Sequence, residues 1–87
     1  MEMQMLTQDT GEFRGRVSYF VSKFIETYSQ SISQLASGDK FRKSMIFVNE
    51  KACSSFEVNF VYHKLGLFKS DQLEVYINGV YVAVVKL

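Results

Sequence analysis

The sequence predicts an α+β fold in which one long amphipathic helix packs on an antiparallel sheet of four strands, or of five if the N-terminal residues also pair. Apolar residues first recur at spacings of three and four, over residues 11–36, and then at spacings near two, over residues 40–87. The first spacing is typical of a helix and the second of strands. The chain then closes a hairpin with Asn78-Gly79. We expect residues 1–87 to form one domain, which suits a chain of this length.

The N-terminal part of the chain supplies the helix. Residues 1–8 alternate loosely between apolar and polar types, as in a short strand or a tail. Asp9 is the predicted N-cap, because Glu12 follows in the reciprocal position of a capping box. Gly38 is suited to the left-handed residue that follows a helix end. The predicted apolar stripe consists of Phe13, Val17, Phe20, Val21, Phe24, Ile25, Tyr28, Ile32 and Leu35.

Gly15 conflicts with this helix, because glycine in a helix interior costs about 1 kcal/mol relative to alanine. Two explanations are open: the helix begins near Arg16, or another part of the chain packs against Gly15. The Gly-x-x-x-Gly spacing of Gly11 and Gly15 lies in a polar segment. It therefore does not indicate a membrane helix contact.

The strands after the helix differ in pattern. Residues 41–48 carry apolar side chains on both faces, which favours a central strand or a strand with a bulge. Residues 56–62 alternate cleanly between apolar and polar types. Short connections favour neighbouring antiparallel strands, so residues 40–87 are predicted to form a meander.

The final hairpin gives a predicted register, since Asn-Gly is the preferred pair for a type I′ turn. Tyr76 then faces Tyr81, and Val75 faces Val82. Alternation along the strands divides the hairpin into two faces. The predicted core face holds Leu73, Val75, Ile77, Val80, Val82 and Val84. The opposite face holds Gln72, Glu74, Tyr76, Tyr81, Ala83 and Val85.

Composition argues against several classes of protein. Ten basic and nine acidic residues give a net charge of +1, which does not indicate a nucleic-acid or anionic-membrane partner. Cys53 is the single cysteine, so no disulfide forms within the chain. The N-terminal residues do not resemble a secretory signal, and no apolar run is long enough to span a membrane. We expect a cytoplasmic protein.

The sequence identifies no catalytic, cofactor-binding or metal-binding residues. His63 is the only histidine. A Cys53–His63 dyad would be separated by about 30 Å of extended chain, whereas such a pair needs about 3 Å. The carboxylates of Glu26, Glu57 and Glu74 are isolated in the sequence, so no acid–base pair is predicted. These observations favour a protein without enzymatic activity.

One surface carries a positive prediction of function. A single helix covers only one face of the sheet, and tyrosine is favoured at protein interfaces. The predicted interface consists of Tyr76, Tyr81, Ala83, Val85 and Val61. We therefore predict a small protein-binding or regulatory module that forms a homodimer through this face or binds another protein with it.

A basic cluster supports an alternative function. Lys40, Arg42 and Lys43 flank Phe41, and basic residues beside an aromatic ring are found in nucleic-acid-binding proteins. Cations are also common near helix C-termini and on edge strands, where they have structural roles. Nucleic-acid binding is therefore the second hypothesis. An enzyme with its site at a subunit interface is the third.

Overall fold

A computed structural model, which describes residues 1–8 and 10–87, confirms the predicted class: one helix packs on a five-stranded antiparallel sheet. In chain order the elements are β1 (Glu2–Met5), α1 (Gly11–Ser33), β2 (Lys40–Asn49), β3 (Ser54–His63), β4 (Gln72–Ile77) and β5 (Val80–Lys86). The strand order is β1-β5-β4-β3-β2. The N-terminal residues thus form a strand that pairs with the last one, and β2 lies at the opposite edge rather than in the centre.

The helix begins at a polar cap. Asp9, the predicted N-cap, lies outside the described residues. Thr10 is the N-cap: its backbone is extended, and its Oγ1 accepts a hydrogen bond of 3.1 Å from the Phe13 N–H. This bond satisfies one of the N–H groups that have no partner within the first turn.

The helix ends at Ser33 rather than at residue 36. The Gln34 N–H donates to the Ser31 carbonyl and the Leu35 N–H to the Ile32 carbonyl, so the last turn tightens to i→i−3 bonds and the helix stops. Gly38 has the expected left-handed backbone, with φ of 90°, but it lies in the following turn.

Neither explanation for Gly15 is correct. The helix begins at Gly11, so Gly15 lies inside it. A Cβ added at Gly15 would meet no atom within 4 Å, apart from the helix's own backbone nearby. The conformational cost of this glycine is therefore not offset by close packing.

The core lies between α1 and the sheet face that contacts it, which we call the inner face. Phe24 is fully buried and stacks on Phe60, with ring centroids 4.5 Å apart and an angle of 18° between the planes. The buried core residues are Met3, Val17, Phe20, Val21, Phe24, Val58, Phe60, Tyr62, Leu73, Val75, Val82, Ala83 and Val85. The predicted helix stripe thus faces the core.

The Asn78-Gly79 turn forms as predicted, with φ of 49° and 84° at its two residues. It pairs Ile77 with Val80 and Tyr76 with Tyr81, as the sequence predicts. Next to these pairs the register shifts. The shift is a β-bulge, in which one strand has an extra residue.

The bulge makes the predicted faces of β5 wrong from Ala83 onward, whereas Val82 is buried in the core as predicted. Val75 pairs with Ala83 instead of Val82, and Leu73 pairs with Val85. Because directly paired residues share a face, Ala83 and Val85 join the core and Val84 moves to the other face, which we call the outer face.

Candidate interaction surfaces

The part of the outer face formed by β3, β4 and β5 carries polar side chains that lie close together. Tyr76 and Tyr81 stack, with ring centroids 4.8 Å apart. The Tyr76 hydroxyl donates to Glu74 Oε1 over 3.3 Å, and His63 Nε2 lies 3.3 Å from the same oxygen, without hydrogen-bond geometry. Burial, followed by the charge of Glu74, raises the pKa of both tyrosines above the ordinary value. The pair therefore stays neutral near pH 7, and the carboxylate already has neighbours within the sheet.

The predicted interface set divides between the two faces. Tyr76, Tyr81 and Val61 lie on the outer face, whereas Ala83 and Val85 are fully buried in the core. The bulge is the cause, because it reverses the alternation of β5. The outer face therefore lacks the continuous apolar patch that the sequence predicts there.

The basic cluster is divided in the same way. Lys40 and Arg42 lie on the outer face, because they pair with His63 and Val61. Lys43 pairs with the buried Phe60 and therefore lies on the inner face. Its Nζ is 5.7 Å from the centre of the Phe41 ring and 5.8 Å from that of Tyr28. The structure thus brings two of the three basic residues to one surface.

Cys53 and His63 lie at opposite ends of β3. Cys53 is exposed in the turn before this strand, where its φ is 49°, and His63 is the last residue of the strand. Within residues 1–8 and 10–87, no group of three or more His, Cys, Asp or Glu side chains could hold a metal ion. In the same part of the chain, no helix has the length and hydropathy needed to cross a membrane.

The two edge strands of the sheet differ in length and in how many of their outward backbone groups are bonded. β1 has four residues. The Leu6 N–H donates to the Val82 carbonyl, so alternation directs the backbone groups of Met3 and Met5 away from β5. Arg14 Nη2 donates to the Met3 carbonyl over 2.9 Å. This edge is therefore short, and part of it is already bonded.

The β2 edge is longer, with ten residues. Glu57 exchanges hydrogen bonds with Asn78, on the β4 side of β3. The Lys64 N–H and C=O bond the chain just before β2. Because the direction of the backbone groups alternates along a strand, every second residue of β3 directs its N–H and C=O toward its partner on β2. The other residues of β2 direct their N–H and C=O away from β3. The residues with free-edge backbone groups are Lys40, Arg42, Ser44, Ile46 and Val48.

Apolar side chains line this free edge on both faces. On the outer face, Ile46 is 63% exposed and Val48 is 69% exposed. On the inner face, a groove of about 570 Å³ runs between α1 and β2. Phe47 lies in the groove, and Tyr19, which is 54% exposed, forms an edge-to-face contact with it over 6.1 Å. Sequence reasoning missed this surface because it interpreted apolar residues on both faces as a central strand or a strand with a bulge.

Related proteins do not assign a function to these surfaces. Comparison of the chain with protein-family models, curated proteins and solved structures finds no match.

Proposed function

We propose that this protein is a small protein-binding module that binds an extended segment of its partner along the free edge of β2. The observation that carries the proposal is a ten-residue edge strand whose outward backbone groups lie beside exposed apolar side chains. In strand addition of this kind, backbone hydrogen bonds provide affinity, and contacts with alternate side chains provide specificity.

The distribution of charge along β2 supports the proposal. Edge strands are usually protected by charged residues, bulges or a covering element, because an open edge pairs with other chains. The basic residues Lys40, Arg42 and Lys43 all lie in the first half of β2. The segment Met45–Val48 carries no charge and has two residues that are more than half exposed. An apolar, unprotected half-strand is expected where a partner covers it.

The side chains around the edge indicate what the partner would present. Partner residues on one face of the added strand would contact Ile46 and Val48, and residues on the other face would contact Phe47 and Tyr19. These four side chains are aliphatic or aromatic, and the groove on the inner face is also lined by Arg16, Glu50 and Lys51. We therefore infer a partner segment with apolar residues at successive positions opposite the second half of β2.

Self-association through the outer face is less favoured. The apolar contribution of Ala83 and Val85 is absent there, since both are buried in the core. Tyr76 already donates to Glu74. Covering this face would bury a carboxylate, which is unfavourable unless new partners replace water.

Selection from a library of ten-residue peptides tests the proposed function. We expect selected peptides to bind the parent and to lose at least about tenfold in affinity for the double variant Ile46→Lys, Val48→Lys, which places two charges on the apolar half of the edge. Tyr81→Ser, on the outer face, is the matched control and should bind like the parent. Thermal melting checks that both variants fold. Peptides that bind the double variant as well as the parent would contradict the proposal.

A further inference from the structure

We infer that the segment bound by β2 is the β2 strand of a second copy, so that two sheets join edge to edge around a twofold axis at Met45. This inference rests on the proposed function, because it uses the same free edge. In this register Met45 faces Met45 of the second copy. The other facing pairs within β2 are Ser44 with Ile46, Lys43 with Phe47, Arg42 with Val48, and Phe41 with Asn49.

The direction of the backbone groups on β2 supports this pairing. An antiparallel pair bonds through alternate residues, and each bonded pair exchanges two hydrogen bonds. On the free edge of β2 the outward residues include Arg42, Ser44, Ile46 and Val48, as derived above from the bonds of Glu57 and Lys64. In the register centred on Met45, each of these four residues faces another of the same set. The backbone groups left unpaired by β3 are therefore paired by the second copy.

The distribution of charged residues along β2 also favours antiparallel self-pairing. A strand with basic residues in its first half avoids like-charge contacts when it pairs antiparallel with itself, because each basic half lies against an apolar half. The aliphatic part of Arg42 would cover Val48, which is 69% exposed in the isolated chain. Lys40 would lie near Glu50, an acidic residue in the turn that directly follows β2. Parallel pairing in register would instead place Lys40, Arg42 and Lys43 against their own copies, which is unfavourable.

The pairing also covers apolar surface that is exposed in the isolated chain. The twofold axis is perpendicular to the sheet, so both helices remain on one side. On that side Lys43 would face Phe47 of the second copy, close to Tyr19. On the other side Ile46 and Val48 would be covered. Stable interfaces bury about 1,200 Å² or more, and the side chains on both faces of the edge add to the area of the strand itself.

A disulfide trap tests the register. The variant Met45→Cys, in a background that carries Cys53→Ser, should form a covalent dimer on mild oxidation. The two Met45 residues would form a non-hydrogen-bonded pair with Cα atoms about 4.5 Å apart, within the range of a disulfide. Ile46→Cys in the same background is the control. Its two copies would be diagonal neighbours about 7–8 Å apart, at or beyond that range. Equal cross-linking of the two variants would overturn the register.

Two substitutions of opposite charge at Val48 test the association without a covalent bond. Val48→Lys would face Arg42 of the second copy, and Val48→Glu would face the same guanidinium with opposite charge. Sedimentation equilibrium at micromolar concentration should show a dimer for the parent and for Val48→Glu. The dimer of Val48→Lys should dissociate at least about tenfold more readily. Equal dissociation of the two variants would overturn the inference.

The remaining outcomes separate the two proposals. A monomeric parent that binds selected peptides along β2 would contradict the inferred self-pairing but would agree with the proposed function. A monomeric parent for which no β2-binding peptide is selected would contradict both the self-pairing and the proposed function. A dimer that survives every change in β2 but dissociates when Tyr76→Lys and Tyr81→Lys are combined would place the association on the outer face and overturn the inference.

Discussion

The two faces of the sheet are built from the same strands but depend on different interactions. On the inner face, Phe60, Leu73 and Val75 are at most 1% exposed and pack beneath the helix. On the outer face, Glu74 and Tyr76 are half-buried and bond each other. Burial of a large apolar side chain stabilises by about 1.5–3 kcal/mol, whereas a partly exposed polar pair contributes about 1 kcal/mol or less. Substitutions on the inner face should therefore have much larger effects.

The largest expected effect is at the centre of the inner layer. Phe24→Ala should lower the free energy of unfolding by about 3–5 kcal/mol, because it removes a fully buried ring that stacks on Phe60. Urea denaturation followed by circular dichroism measures the change. Ser22→Ala, on the exposed side of the same helix, is the control and should be nearly neutral. A loss below about 1 kcal/mol for Phe24→Ala would be inconsistent with the described core.

Two adjacent valines test the position of the bulge. Val85→Lys should destabilise by about 3–5 kcal/mol, because it places an unpaired charge in the core. Val84→Lys should cost less than about 1 kcal/mol, since Val84 is half-buried on the outer face. Thermal melts of the two variants make the comparison. The unbulged register predicts the opposite order, so the experiment decides between the two arrangements.

An intermediate effect is expected where a buried tyrosine meets a carboxylate. The Tyr62 hydroxyl donates to Asp71 Oδ2 over 2.6 Å, and Asp71 also accepts from the Leu65 N–H and contacts Lys64. Burial opposes ionisation of Asp71, but these partners hold its pKa below the ordinary value. Burial first, and then Asp71, raises the pKa of Tyr62. Tyr62→Phe should cost about 1–2 kcal/mol at pH 7.

The same bond gives a signed pH dependence. A lowered carboxylate pKa contributes stability above the ordinary pKa of about 3.9, and this contribution is lost as pH falls below it. A raised tyrosine pKa contributes stability below about pH 10, and this contribution is lost as pH rises. The cost of Tyr62→Phe should therefore be greatest between about pH 4 and pH 10, as measured by urea denaturation across pH. A cost that is unchanged at pH 3 would show that the Tyr62–Asp71 hydrogen bond contributes little.

The smallest expected effect is a gain in stability on the exposed side of the helix. Gly15→Ala should raise the free energy of unfolding by about 0.5–1 kcal/mol, because alanine loses less backbone freedom in a helix. The added methyl group meets no neighbour within 4 Å. The change is measured by urea denaturation, and a loss of stability would mean that Gly15 is not in the helix interior.

The features that could be predicted are those encoded by local patterns. The buried stripe of α1 follows from a long helical period, and the turn at Asn78-Gly79 follows from its need for positive φ. The bulge could not be predicted, because residues 82–85 are all apolar and a shift of one residue leaves the pattern unchanged. The face assignments of Ala83 and Val85 failed for this reason.

The candidate edge could not be predicted because it depends on strand order. The predicted meander leaves residues 41–48 at an edge unless the N-terminal strand pairs with them, and Ile46 and Val48 resemble core residues in the sequence. The pairing of β1 with β5 determines that the edge of β2 stays uncovered. That pairing joins residues from nearly opposite ends of the chain, so no local pattern encodes it. Tyr76 and Tyr81 were placed correctly because they lie next to the turn, before the bulge.

The pairing of β1 with β5 also has a consequence for folding during synthesis. Glu2 pairs with Lys86, so the first strand cannot dock until the last strand has left the ribosome. The meander from β2 to β5 needs only contacts between successive strands, which form faster than distant ones. Until β1 docks, the β5 edge is exposed as well as the β2 edge. Aggregation of new chains should compete with folding most strongly at this stage.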